Sequence, residues 1–422
     1  MGWSIWAMAG LAGAGVLFSA MANAQESGAA PSFADAEMSD FNPMIGSVPG
    51  DGFRVPGGAL QIYGLLNPGI SYISASGARK GPNEPASAVF ASNGSYWGLR
   101  GGEDLGAGWQ VMFQLENTIN VGTGTNTNSS GQFAGRSTFI GVQSDALGVL
   151  KFGYLTSPLY NTVGIYKFIG DQLPIASPTT LMTTINGTSL QFNNRVANAV
   201  AYSTSKDSSG LVGHFLYSNS QSGDVNQGNR DNVYSLSASY GDGPIYLQYV
   251  YEARSNQGRL ASGESNDWSN RVVGRYAFSD TLKLAFGLDY SGSDGTYGKK
   301  AAAGRGRVAR QAATVSLAKA VGRHEFIGTY AFARGIQCSG AAMTAQANCA
   351  PGVSGSTGAQ QLSFVYEYIF SKRTLVSAFV SRIWNRSNGL YDFDAVPVVQ
   401  SASARSAGVN PTGYGFAIMH IF

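Results

Sequence analysis

In the segment VYSLSASY, Tyr234, Leu236, Ala238 and Tyr240 alternate with Ser235, Ser237 and Ser239. Side chains on an extended chain point to opposite faces in turn, so this stretch has one oily face and one lined with hydroxyls. The same period recurs in TLKLAFGLDY, where Leu282, Leu284, Phe286, Leu288 and Tyr290 oppose Lys283, Ala285, Gly287 and Asp289. In QLSFVYEYIF, Leu362, Phe364, Tyr366, Tyr368 and Phe370 oppose Gln361, Ser363, Val365, Glu367 and Ile369. A period of two over segments this long predicts half-exposed strands rather than helices.

The connections carry a second alternation. Short turns such as GEDLGAG, DALG, KDSSG, FSD and AVG interleave with long polar stretches such as GTGTNTNSSGQFAG, QSGDVNQGNRDN and GTYGKKAAAGRGR. From Leu60 onward the count is about sixteen strands, seven short turns and eight long loops. That pattern predicts an all-β fold, a transmembrane antiparallel β-barrel with short turns at one rim and long loops at the other. Closure pairs every backbone group, as hydrocarbon requires. A β-propeller also uses many short strands, but no blade-length repeat is visible. With 12% aromatics the chain is too aromatic for disorder, and with 13% charged residues it is too polar for a helical membrane protein. Aromatics near strand ends, such as Tyr249 and Tyr251 or Tyr366, Tyr368 and Phe370, fit interfacial girdles. A net charge of +3 over 422 residues argues against a nucleic-acid partner.

The long apolar stretch at the start, WSIWAMAGLAGAGVLFSAMANAQ, reads as a signal peptide over residues 1–24, with Ala22 and Ala24 forming the cleavage site. No Lys or Arg precedes it; the alternative, a membrane anchor, lacks stop-transfer charges after it. Residues 25–59 carry five acids (Glu26, Asp35, Glu37, Asp40, Asp51) against Arg54, and read as a disordered periplasmic extension or a partial plug. Cys338 and Cys349 bracket SGAAMTAQAN; in an exported protein they read as one disulfide, and they lack the paired Cys/His ligands of a zinc site.

Several segments resemble the trimeric general porins of Gram-negative outer membranes: LQIYGLLNPGISY, YWGLRGGEDLGAGWQVMFQLEN, RSTFIGVQSDALGVLKFGY, RVANAVAYSTS and the terminal HIF. The resemblance runs from about Leu60 to Phe422, and GLRGGEDLGAG is its most specific part. It implies a sixteen-stranded barrel in the outer membrane, a homotrimer, and passive diffusion of small hydrophilic solutes without a cofactor. It also implies contact with lipid and lipopolysaccharide. The alternating Tyr414, Phe416, Ile418, His420 and Phe422 would be part of the signal read by the barrel-assembly machinery.

In that family the third loop folds into the lumen and narrows it, with acids on the loop facing bases on the wall. Here this loop is residues 156–194, carrying Asp171 and Lys167. Many relatives have arginine where this chain has Tyr96 and Tyr154, and often aspartate where it has Asn67; Arg195 keeps its basic position. Parity places Arg100 and Arg136 inside, with Trp97, Leu99 and Phe139 toward lipid. It also places Arg271 and Arg275 inside, and Glu116 completes the pore candidates. The expectation is a softened constriction field with weak anion preference, its tyrosines favouring neutral, aromatic or sugar-like solutes. The alternative is drift in a non-selective pore.

The basic run Lys299, Lys300, Arg305, Arg307, Arg310 is expected on an outer loop, against lipopolysaccharide or solvent. The sequons at Asn93 and Asn186 carry little weight in a bacterial outer membrane. His214, His324 and His420 sit in no catalytic motif, so no enzymatic role is expected. An adhesin or receptor role for the outer loops would add to a channel rather than replace it.

Overall fold

In a computed structural model, the structure describes residues 60–79, 81–125, 133–169, 173–190, 192–206, 208–219, 232–255, 265–297, 304–398 and 406–422. The signal-peptide and extension readings for 1–59, together with Asp171, Lys299 and Lys300, lie outside these residues.

Sixteen antiparallel strands close into a barrel. The first two are each broken once: β1 is Gln61–Leu66 and Gly69–Ser76, and β2 is Glu84–Ala91 and Tyr96–Gly106. Then follow β3 (Trp109–Thr118), β4 (Thr138–Ser144), β5 (Gly148–Leu155), β6 (Val196–Ser203), β7 (Leu211–Ser218) and β8 (Val233–Asp242). The series continues with β9 (Ile245–Arg254), β10 (Ser265–Ser279), β11 (Leu282–Tyr297) and β12 (Gly304–Val321). It ends with β13 (His324–Ala333), β14 (Ala359–Ser371), β15 (Thr374–Asn385) and β16 (Asn410–Ile421). The paired breaks in β1 and β2 form a bulge around Pro68, which has no N–H to give. Asn67 N–H instead donates to Ser95 Oγ at 2.8 Å.

Burial runs opposite to that of a water-soluble sheet. On β8 the serines are hidden (Ser235 0%, Ser237 4%, Ser239 5%) while Tyr234 and Leu236 are 47% and 59% exposed. The oily face points outward to lipid, and the lumen receives the small polar side chains.

Closure is made by β16, which pairs with both pieces of β1: Leu65 with Ile421, and Gly69 through Ser76 with Ala417 through Asn410. Phe422 exchanges two backbone hydrogen bonds with Gly64, at 3.0 and 3.1 Å. Tyr414, Phe416, Ile418, His420 and Phe422 are all exposed on the outer face.

The stretch expected as the loop GTYGKKAAAGRGR is mostly strand: β11 continues through Tyr297 and β12 resumes at Gly304. Arg305, Arg307 and Arg310 therefore sit on strands. Arg307 pairs with Asp294 across the hairpin at 2.6 Å, and Arg310 is wholly buried in the lumen. Gly-rich composition hid strands held by cross-strand ion pairing. Cys338 and Cys349 are bridged, with Cα atoms 5.7 Å apart. Next to the bridge, Gln337–Gly340 pairs with β12 from the outer loop.

Gly64 is one point where closure leaves little room. A Cβ there would lie 2.5 Å from Phe422 Cζ and 2.7 Å from the Tyr96 carbonyl oxygen. Gly64→Val is expected to destabilise the barrel by about 1–3 kcal/mol, the usual cost of overpacking. The check is the temperature at which the folded, heat-modifiable band is lost on gel electrophoresis, against Gly355→Val, where a Cβ meets nothing within 4 Å and φ is not positive.

Candidate functional site: the loop-lined pore

Residues 156–194 fold into the barrel. Ser157 caps a short helix, α1 (Pro158–Asn161), through the Tyr160 N–H at 3.1 Å, and a 3-10 turn follows at Thr162–Gly164. A second helix, α2 (Thr179–Thr183), leads into a hairpin, Thr184–Ile185 with Thr188–Ser189. Its two-residue turn, Asn186–Gly187, has positive φ at both positions, the conformation an Asn-Gly pair favours.

A loop in a lumen brings unpaired carbonyls with it, and the wall supplies donors for them. Arg271 donates to Met182 O at 2.8 Å and to Thr162 Oγ1 at 2.9 Å, and Arg310 donates to Leu181 O. Both guanidiniums share Asp289, at 2.9 and 3.2 Å. Arg275 donates to the carbonyls of Gly164, Ile165 and Lys167. Further round, Gln361 donates to Ile175 O and Ser177 O, and Ser316 to Tyr166 O. The wall arginines thus finish the C-terminal ends of α2 and of the 3-10 turn.

Packing follows the same division. The inward side chains of β11 and β12 are small (Ala285, Gly287, Ala312, Thr314, Ser316, Ala318), and the loop's Tyr166 and Met182 fill the space they leave. A Cβ on Gly287 would lie 3.0 Å from Tyr166 Cβ and 3.2 Å from Met182 Cε.

These contacts revise three pore candidates. Arg271 and Arg275 face inward, but Arg271 is 0% exposed and both hold the loop rather than open water. Lys167 is 1% exposed, its Nζ donating to Ser177 Oγ at 2.8 Å. Parity finds the inward face of a strand; it does not show what covers it.

Two further readings change on β4 and β5. Phe139 is buried among Met112, Val149, Leu155 and Val196, and Ile140 is the exposed residue. In TFIGV two adjacent apolar residues leave the register undetermined, and a one-residue slip reverses every side chain. Tyr154 shares a strand face with the exposed Phe152, opposite the buried Leu155, so it belongs to the lipid side and not to the pore wall.

On the wall from β1 to β6, the remaining candidates come together. Tyr63 donates to Glu116 Oε1 at 2.9 Å, and Arg136 lies 3.6 Å from Glu116 Oε2. Each nearby cation rests over an aromatic ring: Arg136 over Tyr96 at 4.5 Å, Arg100 over Tyr63 at 4.7 Å, and Arg195 over Tyr160 at 5.5 Å. Arg100 also donates to Gln61 Oε1 at 2.6 Å, and Arg195 to Ser137 Oγ at 3.2 Å. Lys151, which the sequence reading missed, lies over Phe139 at 4.7 Å. Its alternation with Leu150 and the exposed Phe152 was the available signal. Tyr96 is fully buried, and the guanidinium its family position lacks arrives from Arg136, in the connection before β4.

The fold and this interior define a transmembrane β-barrel narrowed by its own loop. A family profile for Gram-negative porins matches residues 8–388, and the chain belongs to that family, located in the outer membrane. An outer membrane porin protein of Bordetella pertussis is 30% identical over 264 residues, covering 57% of this chain and 66% of that protein, just under two thirds of its length. Among solved structures, the fold is similar to an anion-selective porin from Comamonas acidovorans (TM-score 0.68, 18% identity, 86% of this chain and 99% of that one). It is also similar to the outer membrane channel DcaP of Acinetobacter baumannii (TM-score 0.56, 14% identity, 88% and 99%). A third likeness is to the trimer form of OmpT of Vibrio cholerae (TM-score 0.55, 12% identity, 86% and 99%).

Asp289→Ala leaves two wholly buried guanidiniums without their carboxylate, a loss of about 3–5 kcal/mol for such a pair. The barrel is expected to stay closed while the loop loosens, giving a larger and noisier single-channel current. A quiet current of unchanged size would mean that packing alone holds the loop.

Proposed function

We propose that the protein forms a water-filled channel for passive diffusion of small hydrophilic solutes, with a weak preference for anions, and that it works as a homotrimer. The observation that carries this is the placement of Arg100, Arg136, Arg195 and Lys151 on the β1–β6 wall, with Glu116 as the acid among them. Across the lumen, Lys167 is the one charged residue among the described residues of loop 156–194, and it is buried. A cationic wall facing a loop whose described residues expose no charge lowers the energy of anions in the gap and raises that of cations. The ring beneath each guanidinium fixes its plane, so little entropy is lost when an anion is met.

A sugar-selective pore fits less well, because the Tyr63 and Tyr96 rings are 3% and 0% exposed and offer no free platform. Membership of the porin family and the trimer form of the OmpT relative support the homotrimer. Lipopolysaccharide is the expected neighbour of the exposed Arg305 at the outer rim, and the barrel-assembly machinery is the expected reader of the terminal strand.

The test is single-channel recording of the purified protein in a planar bilayer under a salt gradient. Current steps in groups of three and a reversal potential toward the anion side are expected. Arg100→Ala with Arg136→Ala should move that potential toward zero, and Glu116→Gln should move it further to the anion side. A folded protein that gives no steps would overturn the channel reading.

A further inference from the structure

The last outer loop also enters the barrel. Tyr391 and Phe393 are 0% and 2% exposed, and they belong to the same buried cluster as the third loop's Ile175, Leu181 and Met182. On the inward face of β16, Gly413 makes the room: a Cβ there would lie 2.8 Å from Ile175 Cγ2 and 3.1 Å from Phe393 Cε2. The two loops therefore meet inside the wall, not above it.

They are joined by polar contacts as well. Asn186, in the hairpin turn of the third loop, donates through Nδ2 to Asn388 O at 3.2 Å and accepts the Leu390 N–H at 2.9 Å. Its own N–H donates to Tyr391 Oη at 3.2 Å. Thr180 Oγ1 donates to Asp392 O at 2.7 Å. Asp392 folds its own segment by accepting the N–H groups of Phe393 and Val398, at 2.8 and 3.1 Å. One amide side chain thus fixes the turn of one loop against the backbone of another 202 residues away.

We propose that residues 388–398 are a second pore-narrowing element, and that Asn186 and Tyr391 are positioning residues for the size limit of the channel. This rests on the channel reading above. A loop docked only on the wall could shift with the solute that passes it. One gripped from both sides presents a fixed cross-section. The stretch also covers the side of the lumen lined by β14 to β16, which leaves the basic wall from β1 to β6 as the path for solutes.

The experiment compares the full-length protein with Asn186→Ala, Tyr391→Phe and a variant in which 390–398 is replaced by a Gly-Ser linker of equal length. Each is first checked for heat-modifiable folding. Single-channel conductance and liposome swelling with neutral sugars of increasing size are then read. Because conductance follows pore cross-section, the linker variant is expected to roughly double it. It should also admit sugars that the parent excludes. Asn186→Ala and Tyr391→Phe should raise open-channel noise with a smaller gain in conductance, while the reversal potential stays put because the basic wall is untouched. A linker variant that folds and matches the parent in conductance and exclusion limit overturns the proposal. Equal noise in the two point variants overturns the positioning roles, whatever the linker variant does. A parent that conducts nothing sinks the channel reading instead, and the two failures are told apart by that control.

Discussion

The interior of this barrel is organised around guanidinium groups donating to the carbonyls of an inward-folded loop. A loop that leaves the wall for the lumen loses ladder partners and must find others, or carry buried acceptors at a cost of about 1–3 kcal/mol each. Here Arg271, Arg275 and Arg310 meet carbonyls at the ends of two short helical turns. Asp289 lies between two of the three cations and limits their mutual repulsion. The small residues of β11 and β12 are the packing counterpart of the same arrangement, since guanidiniums reach the loop backbone only if the loop lies close to the wall.

Arginine therefore has two fates in one pore. On β10 and β12 its charge is spent inside the protein, where a solute does not meet it. On the opposite wall Arg100, Arg136 and Arg195 lie across aromatic rings and meet the side chains of Gln61, Glu116 and Ser137. What separates the two is the surface each faces. A polypeptide loop supplies carbonyls that take up guanidinium donors, whereas a ring covers one face of the cation and takes up none. Counting lumenal arginines from a sequence would overstate the field, because the pinned ones contribute to shape rather than to selectivity.

Much of the barrel was legible. Alternation in β8, β11 and β14 is strict because one face meets hydrocarbon and tolerates no polar residue, so those strands fix their own register. The terminal strand was readable for the same reason. Legibility failed where that pressure is absent. In TFIGV both faces accept an apolar side chain, since Phe139 finds an aliphatic pocket inside the lumen. Tyr154 looked like a pore residue because a family position was carried over without its strand parity. The Asn186–Gly187 pair was read as a sequon, although two residues of that type between TI and TS are the strongest short-range sign of a hairpin. The partners of that hairpin lie some two hundred residues away, and no local pattern encodes them.

The two halves of the lumen are consequently different kinds of surface. One is a packed core in the ordinary sense, with Ile175, Leu181 and Phe393 filling space left by glycine and alanine, and its geometry answers to volume. The other is a charged wall whose arginines each lie over a ring and meet one further side chain, Gln61, Glu116 or Ser137. On the channel reading proposed above, changes in the first half would alter the width of the pore and leave its sign alone. Changes in the second would alter its sign and leave the width nearly alone. On that reading, size limit and ion preference in this barrel would be separable, because the residues proposed to set them do not share a face.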